Sequence, residues 1–276
     1  MFHRDLLPIV RPRPSDTDGL IYGGGTEEDG VILAGSALSP ASGETYEVRG
    51  GYLELLKGRI GADNVANLTN FLPGAGRAYE PLWRVRSLGL LTGERFPNER
   101  ELRVISDLLR PESGGRYLDL GCSAGLYTRN LQRGLDAGGR VVGIDISPSM
   151  LGEAARRARR LGVKPSFARA DAENLPFADA SFSGAVCGGT LNELGDPARA
   201  LRETARALVP GGRLVVMGIL KAATSGGRRL QRFLSTGGVR FYEPEELESM
   251  FDHAGFDADP LITHGLIFFA GATRRG

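Results

Sequence analysis

Two segments near the middle of the chain carry residues suited to binding a nucleoside. Residues 119–131 (DLGCSAGLYTRNL) read as a strand followed by a glycine-containing turn that opens a helix. Glycines in such a turn let the backbone approach a ligand closely, and the helix N-terminus presents unpaired N–H groups to an anionic part of it. Asp145 follows Gly121 by 24 positions, at the end of the next predicted strand. An acid there is placed to accept hydrogen bonds from ribose hydroxyls.

Of two further segments, the first narrows the choice of ligand and the second has an architectural role. In residues 168–194, Asp171 ends a third predicted strand, where it could receive the exocyclic amine of an adenine with Ala172 beside it. In LVPGGRLVV, residues 210–212 (PGG) predict a tight turn from a helix into a strand, which is an architectural feature.

The elements that must position these residues alternate between strands and helices from Arg116 onward. That alternation indicates βαβ units and a parallel sheet. The predicted strands are residues 116–121, 140–146, 165–171, 184–189 and 213–220, and the predicted helices are 126–133, 148–161 and 197–208.

The end of the chain has a different pattern. A predicted helix at 244–254 precedes two apolar runs, 261–263 and 266–270, which are separated only by His264 and Gly265. A turn that short is too short for a parallel crossover, so these runs should form an antiparallel hairpin. The predicted fold is α/β, a doubly wound, mostly parallel seven-stranded sheet with a small N-terminal β-rich module.

In these motifs and their order, the chain from Asp119 to Gly276 resembles the class I S-adenosylmethionine-dependent methyltransferases, and in particular the branch of the ubiquinone and menaquinone C-methyltransferases. The resemblance implies a Rossmann-like fold, S-adenosylmethionine as cofactor and S-adenosylhomocysteine as product. It also implies that the cofactor contacts Asp119, Gly121, Cys122, Ser123, Gly125, Asp145, Ile146, Met150, Asp171, Ala172 and Gly188.

The sequence departs from the family pattern at three points. Ser123 replaces the central glycine of the usual G-x-G-x-G, and Gly184 stands where an aspartate is common. Asn192 and Glu193 stand where many relatives have histidines. The candidates for a catalytic base are Glu193, Tyr79 and Tyr242.

The N-terminal part carries a weaker resemblance. Residues 43–56 (GETYEVRGGYLELL) are similar to the tail of small zinc-ribbon modules that precede some methyltransferases. The corresponding turns here contain neither Cys nor His, so we expect a degenerate module without metal. The predicted divisions are a β-rich module at 1–61, a helical linker or lid at 62–112 containing Tyr79, Trp83 and Arg84, and the methyltransferase domain at 113–276.

Composition limits the class of protein and the compartment in which it can be expected. The chain has 276 residues, 34 basic and 33 acidic side chains, and two cysteines. This excludes a disulfide framework and gives no evident zinc cluster. No apolar run approaches the ~20 residues of a membrane span, and the N-terminal residues do not suit a signal peptide. We therefore expect a cytoplasmic protein, with no indication of its oligomeric state.

Three functional hypotheses follow. The first is methyl transfer to a small molecule, quinone-like or another secondary metabolite. The second is an RNA methyltransferase, suggested by the degenerate ribbon and by arginines in residues 153–164, which Arg228, Arg229 and Arg232 could extend. The third is a non-catalytic cofactor-binding or partner-binding protein, suggested by Ser123 and the missing histidines. An NAD-dependent dehydrogenase is disfavoured by the third and fourth motifs and the terminal hairpin.

Overall fold

The computed structural model describes residues 1–57, 89 and 91–276. The strands are β1 (Phe2–His3), β2 (Ile21–Glu28), β3 (Val31–Leu38), β4 (Thr45–Arg49), β5 (Tyr52–Glu54), β6 (Arg116–Leu120), β7 (Arg140–Asp145), β8 (Ser166–Arg169), β9 (Phe182–Gly188), β10 (Leu208–Ile219), β11 (Phe256–Ala258), β12 (Ile262–His264) and β13 (Ile267–Arg274). The α-helices whose two ends both lie in the described residues are α1 (Asn98–Leu109), α2 (Leu126–Gly134), α3 (Pro148–Arg160), α4 (Pro197–Ala207), α5 (Ser225–Ser235) and α6 (Pro244–His253). Within the same described residues, 3-10 helices cover Arg4–Ile9 and Thr190–Asn192.

The predicted sheet is present. Strands β8, β7, β6, β9 and β10 lie side by side in that order and run parallel. Strand β13 continues the sheet antiparallel to β10, and both β11 and β12 pair antiparallel with β13. The predicted terminal hairpin is therefore confirmed, with Gly265 in the left-handed region at φ +58° in its turn.

The N-terminal strands belong to the same sheet. Strand β5 pairs parallel with β8, where Leu53 lies opposite Ala168, and the antiparallel strands β4 and β3 continue outward from it. Phe2 and Leu7 pack in one buried apolar cluster with Leu118 of the central strand. The described part of the predicted module thus shares its core with the methyltransferase strands, and the predicted boundary at residue 61 lies outside the described residues.

Local sequence explains the helices that flank the sheet. Ser147 caps α3 by accepting a hydrogen bond from the Met150 N–H at 3.3 Å, and proline occupies the first helical turn. Asp196 caps α4 in the same way through the Arg199 N–H at 2.9 Å. Helix α3 then buries one apolar face against the sheet, including Leu151, Ala154 and Ala158.

Three features differ from the sequence predictions. Strand β10 begins at Leu208 rather than Arg213, because residues 210–212 form an irregularity within the strand, with Gly211 at φ +77°. Helix α5 and the three-residue strand β11 were not predicted. Two glycines, Gly226 and Gly227, weaken the helical pattern of α5, and its exposed surface leaves few residues to mark a buried face.

Candidate active site

The loop between β6 and α2 has a left-handed backbone at three positions. Gly121, Ser123 and Gly125 have φ of +62°, +50° and +77°. A Cβ atom on Gly121 would lie 2.2 Å from Oγ1 of Thr190, so only glycine fits between this loop and the turn after β9. Gly125 precedes α2 without a side-chain cap, and the helix directs its first N–H groups toward the carboxyl edge of the sheet.

Asp145 ends β7 directly beside this loop. Its Oδ2 accepts the Ser123 N–H at 2.9 Å, and its Oδ1 accepts the Ser147 N–H at 2.8 Å. Burial raises the pKa of Asp145, an effect that these backbone N–H groups oppose. A carboxylate has about four acceptor positions, so each oxygen retains capacity for a hydroxyl donor. The Ser123 hydroxyl lies 3.5 Å from Sδ of Met150, which brings three predicted site residues together.

Asp119 lies one residue before the end of β6. Its side chain is almost fully buried, with 1% of the residue exposed, and its Oδ2 accepts hydrogen bonds from the N–H and the hydroxyl of Thr128 at 2.9 and 2.5 Å. Asp119 therefore fixes the start of α2 against β6. Thr128 was not among the predicted site residues; a hydroxyl in the first turn of a helix that follows a buried acid is the sequence signal for it.

The predicted adenine-side residues lie at the neighbouring strand ends. Asp171, two positions beyond β8, accepts the Glu173 N–H at 2.8 Å through Oδ1, and Ala172 is buried. The carbonyl of Ile146 accepts a hydrogen bond from Arg169 at 2.9 Å. The bond from Arg169 to Ile146 joins the end of β8 to the residue that follows β7.

Gly188, the last residue of β9, accommodates an aromatic ring. A Cβ there would lie 2.0 Å from Cε2 of Tyr127, which belongs to the first turn of α2. The Tyr127 hydroxyl donates to the buried carboxylate of Glu101 in α1. Gly188 thus lets α2 pack closely on the sheet beneath the loop.

Glu193 follows the 3-10 turn after β9. Burial, reinforced by the negative charge of Asp145, raises the pKa of Glu193 to about 7. The neighbouring Asn192 is buried and structural, because its amide bonds the backbone of Ile219 in both directions and the carbonyl of Arg240. The two residues that replace the family's histidines therefore differ in role: Asn192 ties segments together and Glu193 presents an acid with a perturbed pKa.

The other candidate bases lie elsewhere. The Tyr242 hydroxyl donates to the carbonyl of Leu191 at 2.7 Å from a fully buried position, and burial raises the pKa of this phenol far above its ordinary value. Tyr79, with the proposed lid residues Trp83 and Arg84, lies outside the described residues. Cys122 and Cys187 are buried free thiols, and burial raises the pKa of both, that of Cys187 to about 12.

Comparisons with known proteins agree with this geometry. Residues 118–216 match the family described as "Methyltransferase domain". The chain is 32% identical over 180 residues to a ubiquinone/menaquinone biosynthesis C-methyltransferase UbiE of Haemophilus ducreyi, covering 56% of this chain and 70% of that protein. It is also 32% identical over 183 residues to a demethylmenaquinone methyltransferase of Thermus thermophilus, covering 58% of this chain and 83% of that protein.

A solved structure shows the same fold. A phosphoethanolamine N-methyltransferase 2 of Haemonchus contortus, in complex with S-adenosylhomocysteine, superposes with a TM-score of 0.62 at 16% identity, covering 79% of this chain and 61% of that chain. With the strand order and the carboxyl-edge loop, these matches place the chain among the class I S-adenosylmethionine-dependent methyltransferases, in the ubiquinone and menaquinone C-methyltransferase branch. It is an enzyme that uses S-adenosylmethionine as methyl donor.

The residues present fit this cofactor. Asp145 and Glu193 place two carboxyl groups at one edge, close enough for the charge of one to raise the pKa of the other. Such a site favours a cationic ligand that also carries hydroxyl donors, which describes a sulfonium nucleoside. Among the described residues, no group of three or more His, Cys, Asp and Glu side chains is arranged to hold a metal ion. None of the described helices has the length and apolar content needed to cross a membrane.

Proposed function

We propose that this methyltransferase acts on a small aromatic acceptor of the hydroquinone type and that Glu193 accepts the proton which this acceptor must lose. The observation that carries the proposal is the pKa of about 7 for Glu193, at the carboxyl end of β9 and beside Asp145. An acid poised near neutral pH at the cofactor edge is placed to act as a general base.

The chemistry of a hydroquinone requires such a group. A phenolic hydroxyl has an ordinary pKa near 10, as in tyrosine. Removal of its proton makes the adjacent ring carbon electron-rich enough to attack an electrophile. A carboxyl group with a pKa of about 7 is ionised in roughly half of the molecules at neutral pH and is more basic than an ordinary glutamate.

S-adenosylmethionine, when bound, supplies the electrophilic methyl group. In this proposal Glu193 would take up the hydroxyl proton while the ring carbon bonds to the methyl group, whose bond to sulfur breaks and releases S-adenosylhomocysteine. The methylated carbon would then lose its own hydrogen as a proton to water, and Glu193 would return its proton to the oxygen, which restores the aromatic hydroquinone. The loop at 121–125 and Asp145 align the donor, and alignment with exclusion of water supplies much of the acceleration in such a transfer.

The same proposal assigns roles to the other predicted positions. The carboxylate of Asp145 would bind the ribose hydroxyls, and Asp171 with Ala172 the adenine edge. The backbone of Gly121, Cys122, Ser123 and Gly125 would approach the methionine part, with Ile146 and Met150 against the nucleoside. Asp119 and Gly188 would act as positioning residues, because Asp119 is bonded to Thr128 and Gly188 accommodates Tyr127.

The names of the relatives support the acceptor class. The two proteins described above are named for ubiquinone, menaquinone and demethylmenaquinone, which are quinones. Among the described candidates for the base, Glu193 combines partial exposure with a pKa near neutrality, whereas Tyr242 is sealed in the core.

The test is a transfer assay with isotope-labelled S-adenosylmethionine and a short-chain, water-soluble naphthohydroquinone, with the product analysed for methylation at carbon or oxygen. We expect transfer to carbon, and Glu193→Gln should lower kcat by about 10²-fold or more without weakening cofactor binding. Glu248→Gln, at an exposed position in α6, is the matched control and should keep the wild-type rate. The acceptor proposal fails if no hydroquinone is methylated, and the role of Glu193 fails if Glu193→Gln is as fast as the wild type.

RNA remains the alternative acceptor from the sequence analysis. On the arginine-rich face of α3, Arg156 and Arg157 both pair with Glu153, at 2.5 and 2.7 Å, so part of that charge is compensated. An RNA substrate predicts affinity that falls steeply with salt, and the labelled cofactor offered with RNA in place of hydroquinone tests it.

A further inference from the structure

Helix α5 exposes an apolar surface that the fold does not use. Leu230, Phe233 and Leu234 are 60%, 72% and 43% exposed. They stand at positions i, i+3 and i+4, so they lie on one side of the helix. Single exposed apolar residues are ordinary on protein surfaces, but three adjacent ones on one short helix mark a surface that contacts something.

The attachment of α5 fixes the direction of this surface. Gln231 is the one buried residue of the helix, and its side-chain amide accepts the Ala222 N–H at 2.8 Å and donates to the Leu220 carbonyl at 2.9 Å. Thr224 caps the helix through the Gly227 N–H at 3.1 Å. Gln231 thus attaches the helix to the protein, and the exposed fractions of Leu230, Phe233 and Leu234 show that these side chains face solvent.

The segment that contains the helix carries charge of one sign, and of its basic residues Lys221 is paired with Glu243, outside the segment, at 3.1 Å. Residues 221–240 contain five basic side chains and no acidic one, although the whole chain has a net charge of only +1. All five, Lys221, Arg228, Arg229, Arg232 and Arg240, are exposed. On the helix itself Arg229 and Arg232 form no ion pair within the part of the chain that the structure describes, so their charge is available to a partner.

We propose that α5 is a membrane-surface docking helix that binds an anionic lipid bilayer, with Leu230, Phe233 and Leu234 inserted among the lipids and the arginines at the headgroups. A helix with Leu and Phe on one side and Arg on the other has the composition of helices that lie in the interfacial plane. RNA would use the arginines and leave the apolar residues unexplained. A second copy would bring two clusters of like charge together, which is unfavourable.

Helix α5 lies at the same edge of the sheet as the candidate active site. The helix follows β10 directly, so it lies at the carboxyl edge of the sheet, where Gly188 and Glu193 are also found. Docking through α5 would bring that edge to the lipid surface, from which an apolar acceptor could enter. The docking itself depends only on the helix and does not rest on the proposed acceptor.

Vesicle flotation of the full chain tests the proposal without acceptor. We expect binding to vesicles of 70% phosphatidylcholine and 30% phosphatidylglycerol, weaker binding to phosphatidylcholine alone, and weakening of the former with salt. Leu230→Ser/Phe233→Ser should lower the vesicle affinity at least tenfold. Arg229→Gln/Arg232→Gln should lower it about fivefold per arginine on the anionic vesicles alone.

The matched control is Arg160→Gln/Leu161→Ser, which changes an exposed arginine and a leucine that is 53% exposed at the end of α3. It should bind vesicles as the wild type does. No binding of the wild type to anionic vesicles, or equal loss in the control, overturns the proposal. The proposal is also overturned if the α5 variants lose RNA binding or self-association while their vesicle binding is unchanged. Circular dichroism and thermal unfolding verify that each variant is folded.

Discussion

The backbone N–H of Ser123 donates to Oδ2 of Asp145 over 2.9 Å, and Ser123 makes this bond from a left-handed conformation with φ +50°. The contact joins the loop after β6 to the end of β7. It uses the backbone alone, so the replacement of the family's central glycine by serine leaves it intact. The cost of the serine is conformational, because a side chain at this φ is less favourable than glycine.

Ser123→Gly should therefore stabilise the protein. Relief of a left-handed, non-glycine conformation contributes about 1 kcal/mol to the free energy of unfolding, which urea denaturation measures. Affinity for S-adenosylhomocysteine should stay within a few-fold, because the N–H bond to Asp145 is retained. Destabilisation would show that the serine hydroxyl, 3.5 Å from Met150, contributes more than the strain costs.

The control for this change is Ala180→Gly. Ala180 is exposed, has φ +49° and lies in the turn before β9, away from the loop. Replacing this left-handed alanine by glycine should raise the free energy of unfolding by a similar amount, and cofactor affinity should not change. Equal effects in both variants would assign the gain at Ser123 to the backbone.

Asp145→Ala should weaken cofactor binding. Loss of charged hydrogen bonds to ribose hydroxyls costs on the order of 1.5–3 kcal/mol, which corresponds to about tenfold or more in affinity. Calorimetric titration of S-adenosylmethionine and S-adenosylhomocysteine measures it. Asp179→Ala, which removes an exposed acid paired with Arg206 at 2.8 Å, should bind like the wild type. Unchanged affinity in Asp145→Ala would contradict the ribose assignment.

Glu193 should make the stability of the cofactor-free protein depend on pH. The pKa of Glu193 rises from 4.5 to about 7 on folding, so the folded chain holds this proton more tightly. The bound proton stabilises the folded protein fully below pH 4.5, and this contribution is lost as the pH rises to about 7. The loss should be on the order of 1–3 kcal/mol.

Urea unfolding at pH 5 and pH 8, compared between the wild type and Glu193→Gln, isolates this contribution from other titrating groups. The wild type should lose more stability than the variant on going to the higher pH, and Glu248→Gln should behave as the wild type does. Parallel pH profiles for all three proteins would show that the carboxyl of Glu193 is not perturbed.

The central sheet was predictable because each of its strands is a short apolar run that ends in a turn signal. The pairing of β5 with β8 was not, because the two strands are more than 100 residues apart and their contact is not encoded in local pattern. Helix α5 was not predicted, because Gly226 and Gly227 have low helix propensity at its start and because its one buried residue, Gln231, gives no apolar periodicity.

At the site, residue type was predictable but side-chain direction was not. Sequence identifies Asp119 as an acid at a strand end, where it could contact a ligand. In the structure the carboxylate accepts hydrogen bonds from Thr128, nine positions later in the first turn of α2. Likewise the burial that separates Glu193 from Tyr242 arises from packing between β9, β10 and the segment before α6, which no local pattern describes.

Gly188→Ala should destabilise the protein, because the added Cβ would lie 2.0 Å from the Tyr127 ring. Overpacking of this kind costs about 1–3 kcal/mol. Gly152→Ala makes the same chemical change inside α3, where a Cβ meets nothing within 4 Å, and should instead stabilise by about 0.5–1 kcal/mol. Urea denaturation of both variants distinguishes packing from propensity: opposite signs support a close contact between β9 and α2, and stabilisation by both would contradict it.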